Sequence, residues 1–350
     1  MRAVILAGGK GTRLRPLTVY TPKPIIPVVN RPFLLYQLEL LSRAGVTDVT
    51  LSLSYQPDKI EDVLGDGSEF GVHMRYLSEP TALGTAGAYR FALEDESGPT
   101  LVMNGDILTD INLSSLIEAH NDRKDTITIA LANMPESADY GLVALRANGT
   151  VESFIEKPRG DGLANAGTST VNAGIYILEP QVLDLVPKSG NSSFEYDVFP
   201  AAVERKLRFS GYVLDAEYWR DIGTPQTYLA ANMDLLSGNF GFEPVGSADE
   251  IETSPTAFID SSSVLAEGCI VKPNARITNS VLGAGVHVEE RAVIENSVIW
   301  PYSRVSTFAE THSSVVGRGC HIGRNAADLS SGKHGSAFRK FRLRAGRLCG

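Results

Sequence analysis

Three glycines and three cations crowd the stretch LAGGKGTRLRPLT, Leu6 to Thr18, and TPKP follows at Thr21 to Pro24. Glycine lets backbone N–H groups approach an anion closely, and the planar guanidinium of Arg13 can grip two oxygens at once. The chemistry such a stretch suits is the handling of phosphate. Its order, Gly8-Gly9-Lys10-Gly11-Thr12-Arg13, matches neither GxxxxGK[ST] nor GxGxxG. On glycine content alone, a plain turn leaving a buried strand stays open. A second group, NGD at Asn104 to Asp106, offers a carboxylate behind a turn-forming pair, and alone it too reads as a turn.

The segments around these groups supply a frame. RAVILA is a continuous apolar strand, and PFLLYQLELLSRAG has helical spacing with Pro32 early and Gly45 at its end. DVTLSLS, VHMRYLS and TLVMNGD read as strands, with PDKIEDVL (closed by Gly65) and a helix from GTAGAYRFALED falling between them. The alternation predicts an α/β domain with a Rossmann-like mixed, mostly parallel sheet and helices on both faces. Ligands of such sheets gather beyond the carboxyl ends of the strands. The Gly8 loop and NGD both fall there, so they are expected to share a site.

From Gly238 to Ala257 the pattern gives way to Gly, Glu, Ser and Pro, the composition of a linker. A repeat follows, with Val264, Val281, Val298 and Val315 in register and each full unit made of two hexapeptides plus a five-residue remnant. Stacked coils of this kind predict a left-handed parallel β-helix, in which each coil buries its aliphatic residues only against the next. The expected division is a first domain over 1–237, a linker over 238–257, the β-helix over 258–326 and a basic tail over 327–350. The tail sets Lys333, Arg339, Lys340, Arg342, Arg344 and Arg347 against a single acid, Asp328, and is expected to be disordered or weakly helical.

Composition narrows the function. The 350 residues are 43% hydrophobic with a net charge of −9, which argues against nucleic acid as the partner. No stretch approaches the roughly 20 apolar residues of a membrane span, and RAVILA is too short for a secretory leader. Cys269, Cys320 and Cys349 form no CxxC pair and read as reduced thiols of a cytoplasmic protein.

The strings themselves carry a resemblance. GGxGTRLxPLT followed by PKP resembles the signature of the nucleotide-sugar pyrophosphorylases, the sugar-1-phosphate nucleotidyltransferases. Further segments resemble that family in order: EPTALGTAGA (Glu79 to Ala88) its base-binding segment, NGD its metal-binding turn, EKP (Glu156 to Pro158) its sugar-phosphate motif. VNAGIYIL (Val171 to Leu178), FEYDVFP and WRDIGTP complete the set, and an attached β-helix is a frequent companion there. The resemblance implies attack by a sugar-1-phosphate oxygen on the α-phosphorus of a nucleoside triphosphate, with pyrophosphate leaving.

By the same resemblance, Leu6, Ala7, Gly8, Gly9, Gly11 and Thr12 would line the nucleotide, with Gly84 and Thr85 at the base. Arg13 and Lys23 would hold its β- and γ-phosphates. Lys157 would bind the sugar phosphate, and Gly141, Glu156 and Asn172 would contact sugar hydroxyls. Asp106 and Asp221 would hold Mg²⁺. LGTAG is similar to the guanylyltransferase branch, which makes GTP and mannose-1-phosphate the expected pair. Glucose-1-phosphate with UTP, dTTP or ATP stays open, as does a catalytically silent sensing subunit. Such a subunit should lack a metal carboxylate or a phosphate-binding cation, and Arg13, Lys23, Asp106, Lys157 and Asp221 are all present.

Taken singly, these residues have plainer roles: Lys157 as a surface lysine, Asp221 as a cap of the helix near Pro225, Asn172 as a strand-end cap. His287, His312 and His321 lie in the repeat. The coils are too few for an acyltransferase, so the histidines are expected to face solvent. The β-helix is then expected to associate subunits into a homo-oligomer.

Overall fold

A computed structural model describes residues 1–93, 98–134, 140–157, 169–238, 240 and 250–327, and RAVIL, Arg2–Leu6 (β1), is an inner strand of its large sheet. Ala3, Val4 and Ile5 are fully buried, because both faces of the strand are covered. Asp48–Leu53 (β2), His73–Ser78 (β3) and Thr100–Asn104 (β4) extend the sheet in the order β3-β2-β1-β4, all parallel. Ile107–Thr109 (β5) leaves this sheet for a separate pairing.

The rest of the sheet reverses direction. Ile127–Asn133 (β6), Leu142–Leu145 (β7), Val151–Ile155 (β8) and the long Thr170–Leu178 (β9) follow. β9 runs antiparallel to β4 along one edge and to β6 along the other. Phe209–Val213 (β10) lies parallel to β6, which makes nine strands in a mixed sheet among the described residues. Trp219–Asp221 (β11) pairs antiparallel with β5 in a two-stranded ribbon.

The helices have local causes. Leu34–Arg43 (α1) ends in a complete Schellman motif: Val46 N–H donates to Leu41 O at 2.9 Å, and Gly45, at φ 72, donates to Ser42 O at 3.0 Å. Pro57–Leu64 (α2) carries Pro57 at its start and Gly65 after its end. Gly84–Ala92 (α3) begins within LGTAG, with Leu83 at its N-cap. In Leu113–Arg123 (α4), Asn112 caps the first turn by accepting from Ser115 N–H at 3.1 Å. Phe199–Glu204 (α5) continues a π-helical turn over Phe194–Val198, capped by Ser193. Phe194 and Phe199 stack with ring centroids 5.5 Å apart and close against Tyr176, so this turn is anchored in the main core. Burying a Phe side chain contributes about 2–3 kcal/mol.

The chain forms two compact units: Met1–Ile26 with Pro32–Gly223, and Pro27–Arg31 with the residues from Thr224 onward. The second includes Pro225–Leu236 (α6), whose first turn is capped by Thr224 rather than by Asp221. Its β-helix is three parallel sheets of short strands, and the stack already includes Glu252–Thr253. The Val264, Val281, Val298, Val315 register is present pair by pair. Inside run ladders of Leu265, Leu282 and Ile299, of Val271, Val288 and Val305, and of Ile277 and Ile294, most of them fully enclosed. A buried serine ladder marks one corner, with Ser297 N–H donating to Ser280 Oγ and Ser314 N–H to Ser297 Oγ, both at 3.1 Å.

His287 and His321 are exposed, as expected, but His312 is half-buried. Strand register sets Glu295 directly beside it, and its ring nitrogens lie 3.1 Å from Glu295 and 3.4 Å from Glu310. Cys269 is buried and Cys320 half-buried, both free thiols. Among the described residues no helix is long and apolar enough to cross a membrane. Half of the segment read as a linker (239 and 241–249), the tail beyond Ala327, Cys349 and Pro158 lie outside the described residues.

Candidate active site

β1 and β4 run side by side with Leu6 opposite Asn104, so the loops leaving them start at the same edge of the sheet. Gly105 N–H donates to Leu6 O at 2.8 Å, and a Cβ on Gly105 would stand 2.8 Å from that of Ala7. Only glycine permits that approach. Beyond Leu6 and Ala7 opens a cavity of about 260 Å³, lined by Gly9, Gly11, Thr12 and Arg13 and, from elsewhere in the chain, by Lys23, Asp106 and Gly223. That is at the small end of the roughly 300–1,000 Å³ of whole-ligand pockets, and its lining suits a chain of phosphates.

Each cation has a local reason to be there. Gly11 takes φ 58 at the head of the turn Thr12–Leu14, and its carbonyl accepts from Leu14 N–H and from Thr18 Oγ at 2.7 Å. The turn buries Leu14 completely and leaves Arg13 exposed. Lys23 sits between Pro22 and Pro24 with its side chain one-tenth exposed, and its Nζ donates to Asp106 Oδ2 at 2.8 Å.

The second carboxylate arrives through the β5–β11 ribbon, where Asp221 pairs with Ile107, the residue after Asp106. Ile222 N–H donates to Asp106 O at 2.9 Å, which ties the two turns together. Burial first, and then the Asp106 carboxylate, push the Asp221 carboxyl up to about 6 from 3.8, against the pull of Lys23 and Arg13. A Cβ on Gly223 would lie 2.6 Å from Asp221 Oδ2 and 3.0 Å from Arg13 Nη2, so glycine keeps the space between carboxylate and guanidinium open.

Other expected residues gather in a second group. Gly84 has φ 76, and a Cβ there would meet the Ser192 carbonyl at 2.4 Å. Thr85 Oγ1 donates to Glu195 Oε2 at 2.8 Å and accepts from Phe194 N–H at 2.9 Å. A Cβ on Gly141 would stand 2.5 Å from Glu156 Oε2, and Asn172 N–H donates to Gly141 O at 2.9 Å. Burial, then Glu195, raise the proton affinity of Glu156, while Lys157 opposes them. Asn172 Nδ2 donates to Tyr176 Oη at 2.9 Å and its Oδ1 accepts from Gly174 N–H, so it also serves its own strand. Tyr176 is hydrogen-bonded to Asn104 as well, which connects this group to the NGD turn.

Two expected residues stand apart. Gly8 turns from the cavity: its carbonyl accepts from Ser54 Oγ, and a Cβ there would meet Glu79 Oε1 at 2.6 Å. Lys157 is more than half exposed, with its ammonium 3.6 Å from Glu156. Glu195 was not singled out from sequence. Its signal was FEYDVFP, where Phe194 and Phe199 are core anchors and the acid between them is held outward at Thr85.

Asp106 and Asp221 fit a hard divalent cation. They are two oxygen donors that repel each other, set beside room for phosphate and water oxygens to complete the shell. Among the described residues no third His, Cys, Asp or Glu joins them, the sparse protein shell that Mg²⁺ accepts.

Comparison with known proteins bears on this arrangement. Residues 2–238 match the Nucleotidyl transferase family, and residues 250–328 match "GlmU-like, C-terminal hexapeptide". The chain is 34% identical over 291 residues to the mannose-1-phosphate guanylyltransferase of Mycobacterium tuberculosis, covering 80% of this chain and 79% of that one. It is 35% identical to the probable mannose-1-phosphate guanylyltransferase 1 of Oryza sativa subsp. japonica, over 78% of this chain and 75% of the other. With the mannose-1-phosphate guanyltransferase of Saccharomyces cerevisiae it shares 33% identity, over 75% and 72%.

Proposed function

Because the chain belongs to the nucleotidyl transferase family, we propose that it joins GTP to mannose-1-phosphate, forming GDP-mannose and releasing pyrophosphate. The observation that carries this reading is the convergence of Arg13, Lys23 and Asp106 on one cavity, with the Asp221 carboxylate close enough to feel the charge of all three. The names of the relatives from bacterium, plant and yeast support the choice of substrates.

Two polyanions must meet, so the chemistry asks for positioning and charge stabilisation rather than a protein nucleophile. Arg13 holds the β- and γ-phosphates from the exposed side of the turn, together with Lys23, which lines the same cavity. The backbone around Gly9, Gly11 and Thr12 approaches the same oxygens. Mg²⁺, held by Asp106 and Asp221, supplies charge neutralisation at the phosphates. Gly84 and Thr85 lie where the base is read. Glu156, Gly141 and Asn172 accept and donate to sugar hydroxyls, and Lys157 closes on the sugar phosphate from the rim. Cytoplasmic residence and a homo-oligomer built through the β-helix belong to the same reading. Exposed Phe258, Tyr302 and Phe308 on that unit support the assembly.

The test is pyrophosphate release over a grid of GTP, ATP, UTP and dTTP against mannose- and glucose-1-phosphate with Mg²⁺. GTP with mannose-1-phosphate should exceed every other well. Turnover in none would overturn the enzymatic reading, and a faster well elsewhere would replace the substrate pair.

A further inference from the structure

Lys23 and Asp106 hold each other at 2.8 Å, yet the reading above gives them different partners, a phosphate for the lysine and a divalent cation for the carboxylate. We propose that Lys23 is a placeholder cation. Before ligands bind it occupies Asp106, and it yields that carboxylate to a divalent cation when a triphosphate arrives to take its ammonium. The proposal rests on the assignment of Asp106 and Asp221 as the metal carboxylates.

Geometry confines the exchange to one side chain. Pro22 and Pro24 flank Lys23, and its carbonyl accepts from Ile26 N–H at 3.2 Å. A Cβ on Gly11 would lie 3.2 Å from Lys23 Cβ, so the base of the side chain is packed against the glycine loop. What can move is the flexible four-carbon stem and its ammonium. Asp106 and the phosphate-facing positions Gly9, Gly11 and Arg13 line the same cavity, so both destinations lie within it.

Charge supplies the coupling. With its ammonium 2.8 Å from Asp106 Oδ2, Lys23 already supplies the positive charge that this carboxylate needs. A divalent cation entering alone would displace the ammonium and leave it stranded beside a like charge. With a triphosphate present the ammonium has an anion to move to, and every charge stays paired. Cation and polyanion therefore favour each other's binding, and such coupling is reciprocal, on the order of 5–150-fold.

The experiment measures Mn²⁺ binding to the full chain, without nucleotide, from the free-Mn²⁺ resonance signal. Lys23→Met should bind Mn²⁺ about tenfold or more tightly than the wild type. Lys23→Gln, a second neutral variant, should do the same if either folds, and Lys23→Arg should remain as weak as the wild type. Adding Asp106→Asn to Lys23→Met should abolish the gain. Wild type and both neutral variants binding Mn²⁺ equally would overturn the placeholder. The metal assignment would survive that result if pyrophosphate, used as the polyanion probe, still recruits Mn²⁺ to the wild type in an Asp106-dependent way. A gain that persists with Asp106→Asn would instead remove Asp106 from the metal site, and the proposal with it.

Discussion

Replacing Asp221 by asparagine should make the ligand-free protein more stable, by an amount that grows with pH. The carboxyl is protonated in folded and unfolded chains below its ordinary 3.8, so it contributes nothing there. Between 3.8 and about 6 the folded chain keeps the proton that the unfolded chain releases, and stability falls as pH rises. Above about 6 the cost is complete. At about 1.4 kcal/mol for each tenfold change in proton affinity it reaches about 3 kcal/mol, and water in the partly open cleft reduces that to roughly 1–3 kcal/mol. A neutral amide at this position would carry no such cost. Urea unfolding in chelator at pH 4 and pH 8 is the assay. The variant and wild type should nearly coincide at pH 4 and separate by about 1–3 kcal/mol at pH 8, variant above. A difference independent of pH, or a variant less stable at pH 8, would refute the account of a carboxylate kept at an energetic cost for function. Mg²⁺ should raise the melting temperature of the wild type and leave that of the variant nearly unchanged.

Gly84→Ala should lose about 2–4 kcal/mol, from positive φ and collision with the Ser192 carbonyl, whereas Gly9→Ala, with open space around it, should stay within about 0.5 kcal/mol in the same denaturant titration. Arg13→Ala should slow turnover about 100-fold or more while the unfolding midpoint barely moves, since the side chain is exposed; near-normal turnover would take Arg13 out of the site. In the β-helix, Ile294→Ala should cost about 2–5 kcal/mol by calorimetry or urea, because that side chain is fully enclosed between coils and its neighbours cannot collapse far; a loss under about 1 kcal/mol would mean that the ladder carries little of the unit's stability.

What could be read from sequence and what could not divide along a physical line. The register of Val264, Val281, Val298 and Val315 is written as a constant spacing, since each coil pairs with its sequence neighbour. β1 and the turn after β4 could be placed together because parallel strands bring their carboxyl ends to one edge. The contact of Thr85 with Glu195 was not legible: it joins segments more than a hundred positions apart, through a π-helical turn that no periodicity announces. The reversal at β9 was equally silent. The register of β9 against β6 breaks around Gly174, at φ 73, where a Cβ would meet Asn104 at 2.8 Å, and one glycine in an apolar run does not reveal which neighbour it accommodates. The grouping of α6 with the second unit was hidden as well, because Tyr228 looks like any apolar helix residue until its hydroxyl is seen accepting from Trp300 Nε1 at 2.9 Å.

Pro27–Arg31 belongs to the second unit although the sequence on both sides of it belongs to the first. Val29 N–H donates to Asn232 Oδ1 at 2.8 Å, Asn30 Nδ2 donates to Leu282 O at 2.9 Å, and Val28 and Val29 are almost wholly buried. Their partners Asn232 and Leu282 stand 203 and 252 positions further along the chain and are synthesised long after the segment itself. Until those residues exist, two valines and the Val29 N–H wait uncovered. The second unit therefore cannot close from one contiguous stretch of sequence; it is complete only when this early segment is taken up by residues made much later.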